Sequence, residues 1–177
     1  MYMSEQTYLA RFDELNMVKY ELLFGGKERA KGTFADVLFE AYMYGFVDTL
    51  TLAGVEPIYT KALAAIEKSY EGVSILDRMV EHVEVGNLVE IDNLLESEFH
   101  RVYNDGARDA AKASGKTRKT WLTMNDDKVR DTHEYLEGVT VDIDAEFITY
   151  DGDSAQYPGD FALAQNNARC RCILRYE

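Results

Sequence analysis

Cysteine, proline and tryptophan are scarce in this chain of 177 residues, which has two cysteines, two prolines and one tryptophan. Two cysteines are too few for a disulfide scaffold, so we expect a reducing compartment. Two prolines argue against a linker-rich protein, and 46% hydrophobic residues suffice for a core. No apolar run reaches the roughly 18 residues of a membrane helix, so we expect neither a membrane span nor a cleavable signal peptide.

Recognised catalytic motifs are also missing. The sequence has no P-loop, no GxGxxG after a strand, no GxSxG and no HExxH. Asp151-Gly152-Asp153-Ser154 lacks the closing glutamate of a calcium loop, and we interpret it as a turn. The sequence therefore predicts no complete catalytic set.

Acidic residues outnumber basic residues, and the formal net charge is −13. Residues 1–107 carry 9 Lys and Arg against 19 Asp and Glu, whereas residues 108–177 carry 10 against 13. The basic residues of the last third form two groups: Arg108, Lys112, Lys116, Arg118 and Lys119, and then Arg169, Arg171 and Arg175. The overall acidity disfavours nucleic-acid binding by the whole molecule but leaves a basic face open in this part. A solvated charged surface is the simpler interpretation.

Helical periodicity dominates the first two thirds of the chain. The predicted helices span residues 8–22, 33–54, 57–70 and 88–114, with a further helix that starts after Ser74, three residues before Asp77. The helix over residues 88–114 would be roughly 40 Å long at about 1.5 Å per residue, which is long enough to link two structural parts.

Short strands are predicted after Lys119, at residues 121–124, 139–141, 146–150 and 170–176. Between the first two strands, Asn125 or Asp126 is expected to cap a helix that runs to Leu136, with Gly138 ending it. The predicted fold class is α+β. A helical N-terminal region (1–87) is joined by a long helix (88–118) to a small C-terminal α+β unit with short strands (119–177).

His133 is the first candidate site residue. On the predicted helix it shares an inward face with Val129 and Leu136. One interpretation makes it a metal ligand, or a general base beside a carboxylate. The other makes it a buried histidine whose ring nitrogens are satisfied by the backbone or a carboxylate.

Cys170 and Cys172 are the second candidates, because residues i and i+2 of a strand point to the same side. Parallel side chains disfavour a disulfide between them. Two thiolates on one face are suited to a soft ion such as zinc, with His133 as a third ligand. The alternative is that both cysteines pack as small hydrophobic residues.

The order of residues in the last third resembles the Mu F-like minor head proteins of tailed bacteriophages. The resemblance covers roughly residues 90–177 and begins in the long helix, at Glu98 and at 101–106. It departs at Arg169, where the family commonly has asparagine before its Cys-Arg-Cys. The residues that carry it further on are Trp121, Asp127, Val129, Arg130, Asp131, His133, Leu136, Gly138, Phe147, Pro158, Gly159, Asp160, Cys170, Arg171 and Cys172.

The resemblance implies a minor component of the phage head that takes part in head morphogenesis, with portal or major capsid subunits as partners. It implies a place in the virion, and in the host cytoplasm during assembly, and no established enzymatic activity or cofactor. Within this hypothesis Trp121 fills a core, Arg130 bridges Asp127 or Asp131, and His133 with the cysteines stabilises the unit, with zinc as the candidate ion.

Two other functions remain open. Arg169, Arg171 and Arg175 alternate along the predicted last strand and are candidates for contact with packaged DNA. Alternatively, the chain is a phage-associated enzyme of nuclease or transferase type that uses His133 and nearby carboxylates.

Overall fold

The structure, a computed structural model, describes residues 5–50, 68–70 and 72–177. Its α-helices are α1 Glu5–Tyr20, α2 Lys27–Thr49, α3 Ile75–Glu84, α4 Leu88–Ala113, α5 Asp131–Glu134 and α6 Ala164–Asn167. A π-helical turn, Glu21–Gly25, extends α1. In the described part of the chain, no helix is both long and apolar enough to cross a membrane.

The strands are short and antiparallel. They are β1 Ser69–Tyr70, β2 Val73–Ser74, β3 Arg118–Leu122, β4 Thr140–Asp142, β5 Phe147–Ile148, β6 Ser154–Ala155 and β7 Ile173–Tyr176. Strand β3 lies between β4 and β7 in a three-stranded sheet, while β1 pairs with β2 and β5 with β6. Trp121 of β3 is opposite Leu174 of β7, which fixes the register of the sheet. The α+β prediction is confirmed.

Several predicted helices are confirmed, with shifted ends. Ser74 caps α3, since its Oγ accepts a hydrogen bond from the backbone N–H of Asp77 at 3.1 Å. The long helix α4 ends where predicted, before Gly115 at φ 75°. Helix α2 begins at Lys27, so Gly32 lies inside it rather than before it, and it ends at Thr49 rather than Gly54.

Three predictions in the remaining parts were wrong. The helix expected over 57–70 does not reach its end, because Ser69–Tyr70 is a strand; residues 57–67 lie outside the described residues. The helix expected from Asn125 or Asp126 to Leu136 is reduced to the single turn α5. The last strand begins at Ile173, so both cysteines precede it.

The helices α1 to α4 share one hydrophobic core. Helices α2 and α4 cross in backbone contact at two glycines: a Cβ on Gly45 would lie 1.8 Å from the Tyr103 carbonyl oxygen, and one on Gly106 would lie 2.1 Å from that of Tyr42. Beside the crossing, the Tyr42 hydroxyl donates to the buried Asp109 carboxylate at 2.8 Å. Only glycine allows helices to approach this closely.

A second core lies in the C-terminal unit. Its buried members are Trp121, Leu136, Phe147, Ala155, Tyr157, Phe161, Cys170, Cys172 and Leu174. Trp121 is fully buried and contacts Phe147 edge-on, with ring centroids 5.1 Å apart. The expectation that Trp121 fills a core is confirmed.

Helix α4 also contacts the C-terminal unit. The Arg169 backbone N–H donates to Ser97 Oγ at 3.1 Å, and His100 Nε2 donates to the Cys172 carbonyl at 2.8 Å. A Cβ on Gly159 would lie 2.8 Å from Cβ of Arg101. The closing loop, residues 168–172, is therefore held against α4.

A candidate metal centre in the closing loop

The structure brings His133, Cys170 and Cys172 together. His133 is 2% exposed, and its Nδ1 lies 3.6 Å from Sγ of Cys170 and 3.4 Å from Sγ of Cys172. One ligand atom from each residue falls within 4.8 Å of the others. Both cysteines are buried and free rather than joined in a disulfide. These residues are a geometrically suitable set of soft metal ligands.

Arg130 determines where α5 begins. Its backbone is extended (φ −76°, ψ 151°), which ends any helix from Asp126. Its guanidinium donates to the Gln165 carbonyl at 2.7 Å and also to the Ala168 carbonyl. The expected bridge from Arg130 to Asp127 or Asp131 was therefore wrong. Arg130 instead ties the segment that carries His133 to the segment that precedes Cys170.

The closing loop is shaped by local backbone geometry. Arg169 has a left-handed φ of 53°, which is uncommon for a residue with a side chain. The Cys170 backbone N–H donates to the Asn167 carbonyl at 3.1 Å. This bend directs the sulfurs of Cys170 and Cys172 toward one imidazole, although the two residues are not on a strand.

Aromatic rings enclose His133. Its ring stacks on Phe161, with centroids 5.3 Å apart and an interplanar angle of 25°. Trp121 meets it edge-on at 5.4 Å. The ring is therefore fixed in orientation on two sides, with Nδ1 directed at the sulfurs.

The thiols differ in acidity. The hydrogen bond from Cys172 lowers the pKa of the Cys170 thiol, against the effect of its burial, and the positive charges of Arg130 and Arg171 act in the same direction. The same hydrogen bond and burial raise the pKa of the Cys172 thiol. Cys170 is therefore the more acidic thiol of the pair.

The contacts of His133 do not make it a general base beside a carboxylate. In the described residues, the groups that His133 Nδ1 faces are the two sulfurs, and its buried Nε2 has no hydrogen-bond partner. The rings of Trp121 and Phe161 contact the imidazole on two further sides. The interpretation of His133 as a base with an acidic neighbour is therefore not supported by the geometry.

The arginines proposed for DNA are dispersed by the fold. Arg169 pairs with Glu90 at 3.0 Å, Arg171 pairs with Asp126 at 2.7 Å, and Arg175 is exposed on β7. Arg171 and Arg169 line a groove between α4 and the closing loop, and Arg175 does not. Other cationic residues on that groove are Arg11, Lys128 and Arg130.

The remaining residues that carry the resemblance either shape the backbone or are exposed to solvent. Asp127 and Asp131 are exposed. Gly138 has a φ of 72°, Pro158 and Gly159 are buried, and Gly159 packs against α4. Asp160 accepts from the Gln156 backbone N–H at 3.3 Å.

A buried polar network next to the closing loop was not predicted from the sequence. The Asp153 carboxylate accepts from the backbone N–H groups of Ala162 and Leu163, both at 3.1 Å, and from Asn166 Nδ2 at 2.9 Å. Asn167 Oδ1 accepts from the Phe161 N–H at 2.9 Å. Asparagines at 166 and 167 were visible in the sequence, but their partners include the side chains of Asp153, Thr132 and Tyr70, which are distant along the chain.

Comparison with known proteins relates this chain to phages. Over 67 residues it is 39% identical to an NAD(+)–arginine ADP-ribosyltransferase, EFV, of Enterococcus faecalis, which covers 38% of this chain and 14% of that protein. Over 83 residues it is 30% identical to minor head protein GP7 of Bacillus phage SPP1, which covers 45% of this chain and 27% of that protein. The matched parts thus span about a seventh and about a quarter of these relatives. No solved structure matches significantly.

A family model gives wider coverage than either relative. The model described as phage Mu protein F-like matches residues 59–175, which starts earlier than the resemblance predicted from about residue 90. The match covers more than half of the chain, and its later part contains Trp121, His133 and both cysteines. This chain belongs to the phage Mu protein F-like family, the family of phage minor head proteins.

Proposed function

We propose that this chain is a minor head protein that takes part in head morphogenesis at the portal vertex, as a structural component of the phage head. The observation that carries this proposal is that the family residues have structural roles in the fold. Trp121 fills the C-terminal core, Arg130 anchors two backbone carbonyls, and Gly159 allows close contact with α4. These are roles in holding a module together rather than in turning over a substrate.

The helical region offers a surface for a partner subunit. Near the end of α1 and in the π-helical turn, Met17, Tyr20 and Phe24 are exposed, and Phe24 is 75% accessible. The rings of Tyr20 and Phe24 contact each other, with centroids 5.1 Å apart. Exposed aromatic side chains are frequent anchors of protein interfaces, and the acidic balance of residues 1–107 favours a basic face on the partner. A portal or major capsid subunit is the partner that this proposal names.

Copurification with coexpressed phage portal and major capsid subunits tests the proposal. We expect binding to at least one of them, and a dissociation constant that increases with salt. Tyr20→Ser/Phe24→Ser should weaken binding by about tenfold or more, as loss of an aromatic anchor does. Val85→Ser, at an equally exposed position after α3, is the matched control. Absence of binding to either subunit, with the chain folded, would contradict the proposal.

Contact with packaged DNA is the second part of the proposal, supported by the groove between α4 and the closing loop. Its cationic residues are Arg11, Lys128, Arg130, Arg169 and Arg171, and Glu96 is its acidic one. Ion pairs with Glu90 and Asp126 reduce this positive charge without reversing it. A local cationic groove can bind phosphates even when the whole molecule is acidic.

The salt dependence of DNA binding tests this contact separately from the surface that binds a partner subunit. We expect Lys128→Ala/Arg171→Ala to weaken DNA binding and to lower the salt dependence of the binding constant, by about one counterion per lost phosphate contact. Lys31→Ala, an exposed lysine on α2, should change neither. Equal binding by all three proteins would remove DNA from the proposal and leave the subunit contact intact.

We propose no enzymatic role for this chain. The similarity to a transferase covers only 14% of that protein, and in the described residues His133 Nδ1 faces two sulfurs rather than a carboxylate. Incubation with NAD⁺ and an arginine-containing acceptor should therefore give no product. The proposed locations are the phage head and, during assembly, the host cytoplasm.

A further inference from the structure

The two nitrogen-to-sulfur distances in the cluster match those of a tetrahedral zinc site, and all three ligand atoms lie within 4.8 Å of one another. Zinc lies about 2.3 Å from thiolate sulfur and about 2.0–2.1 Å from imidazole nitrogen, so tetrahedral angles place nitrogen and sulfur about 3.6 Å apart. The two distances from His133 Nδ1 are 3.6 Å to Cys170 and 3.4 Å to Cys172. Little movement is needed to admit an ion between these atoms.

The ligands are positioned from three sides by groups outside the site. Phe161 and Trp121 fix the ring of His133. His100 of α4 holds the Cys172 carbonyl, and the Asn167 carbonyl holds the Cys170 backbone N–H. Pre-positioned ligands lower the entropic cost of binding an ion.

Packing alone is a poor account of this cluster. A buried imidazole needs a strong partner for its nitrogens, and thiols are weak donors and weak acceptors. In the described part of the chain, His133 Nδ1 faces only the two sulfurs, and Nε2 is unpartnered. Coordination to a metal would satisfy Nδ1 and both sulfurs together.

The charges nearby determine which complex fits. Two thiolates and a neutral imidazole around Zn²⁺ give no net charge, which suits a cavity also lined by Lys128, Arg130 and Arg171. That small cavity adjoins all three ligands and leads toward the groove. A water molecule in this cavity is the candidate fourth ligand.

We propose that His133 Nδ1 and the thiolates of Cys170 and Cys172 bind one zinc ion, with water as the fourth ligand. The ion joins α5 to the closing loop. Hydrogen bonds from Arg130 and from His100 already hold this loop, so the ion is its third link. Sulfur and imidazole ligands in tetrahedral arrangement favour zinc over the hard cations magnesium and calcium. The site adjoins the groove of the DNA proposal, because Lys128, Arg130 and Arg171 line both, but metal content tests it separately from binding to DNA or to a portal subunit.

Metal content of the full chain, purified without chelator from zinc-containing medium, is the direct test. We expect about one zinc per chain, the stoichiometry of a single site. Cys170→Ala/Cys172→Ala and His133→Asn should each lower the zinc content by about tenfold or more, since each removes at least one of three ligands. His82→Asn, a partly buried histidine on α3 away from the cluster, should retain the ion. Zinc retained by both ligand variants would overturn the proposal.

Cobalt substitution of the unaltered chain covers the case in which the variants do not fold. A four-coordinate Co²⁺ ion with two thiolates should show thiolate-to-cobalt charge-transfer absorption and the intense visible bands of tetrahedral geometry. Added zinc should remove these bands at an equimolar concentration. A chain that is folded, contains no zinc and gives only the weak spectrum of hydrated cobalt would show that the cysteines are packing residues.

Discussion

At the scale of single residues, the most unusual side chain is a lysine without solvent access. Lys119 on β3 is fully buried, and its ammonium donates to the Gln156 carbonyl at 2.7 Å and to the Gln156 side-chain oxygen at 2.9 Å. It also lies 5.3 Å from the centroid of the Phe147 ring. Burial lowers the pKa of Lys119 to about 8, from an ordinary value of 10.5. A cation is therefore kept in the interior near neutral pH at a cost in stability.

The pH dependence of stability should reveal this lysine. Between about pH 8 and 10.5 the unfolded chain holds a proton on Lys119 that the folded chain has lost, so the free energy of unfolding rises with pH through this window. We expect Lys119→Met to lose that rise, whereas exposed Lys31→Met should keep it. Urea unfolding at intervals from about pH 7.5 to 9.5 measures the slope below the range in which unfolded tyrosines ionise. Identical slopes in the parent and Lys119→Met would disprove the assignment.

Asn167 is the residue whose importance the sequence hid most completely. Its amide donates to the Phe161 carbonyl at 2.7 Å and to the Tyr70 hydroxyl at 3.1 Å, and its oxygen accepts from the Phe161 N–H. Asn167→Ala leaves these buried groups unpaired, so we expect a loss of about 2 kcal/mol or more in the free energy of unfolding. Gln165→Ala, at an exposed position two residues away, should change it by less than about 0.5 kcal/mol. Chemical denaturation compares the variants, and equal stabilities would count against the network.

At the scale of elements, local patterns succeeded where neighbouring residues alone determine the structure. Ser74 caps α3 and Gly115 follows α4 because capping depends on the backbone within a few residues. The helix expected from Asp126 to Leu136 failed because Arg130 is extended to reach Gln165 and Ala168, which no local pattern encodes. The convergence of His133 with both cysteines was predictable from ligand chemistry. The supporting His100 was not, since its partner is a distant backbone carbonyl.

Two glycines on different helices provide a sharp test of the packing. A methyl group at Gly106 would lie 2.1 Å from the Tyr42 carbonyl oxygen, so Gly106→Ala should lower the free energy of unfolding by about 2 kcal/mol or more through overpacking. Gly32 has no atom within 4 Å of the added carbon and lies inside α2. Gly32→Ala should instead stabilise by about 0.5–1 kcal/mol, as in any helix interior. Opposite signs are the expected result, and destabilisation by Gly32→Ala would place the start of α2 after this residue.

At the scale of the whole molecule, α4 is part of the helical core and also contacts the C-terminal unit that contains the second core. Its buried Glu98–Arg101 ion pair, 2.7 Å between Oε2 and Nη2, lies where Gly159 of the C-terminal unit packs on it. Further ties run from Ser97 to Arg169 and from Asn167 to Tyr70. The division into residues 1–87, 88–118 and 119–177 stays a prediction. These contacts nevertheless favour unfolding of the helical part and the C-terminal unit in a single transition.

Two spectroscopic probes can test that coupling, because the single tryptophan reports only on the C-terminal core. We expect Trp121 fluorescence and far-ultraviolet circular dichroism, dominated by the helices, to give coincident denaturation curves. Arg101→Met removes one partner of a buried pair and should lower both midpoints together, with a loss of about 3–5 kcal/mol. Exposed Arg118→Met is the matched control. If Arg101→Met shifted the fluorescence curve alone, the C-terminal unit would unfold independently, and the tie through α4 would be too weak to couple the two cores.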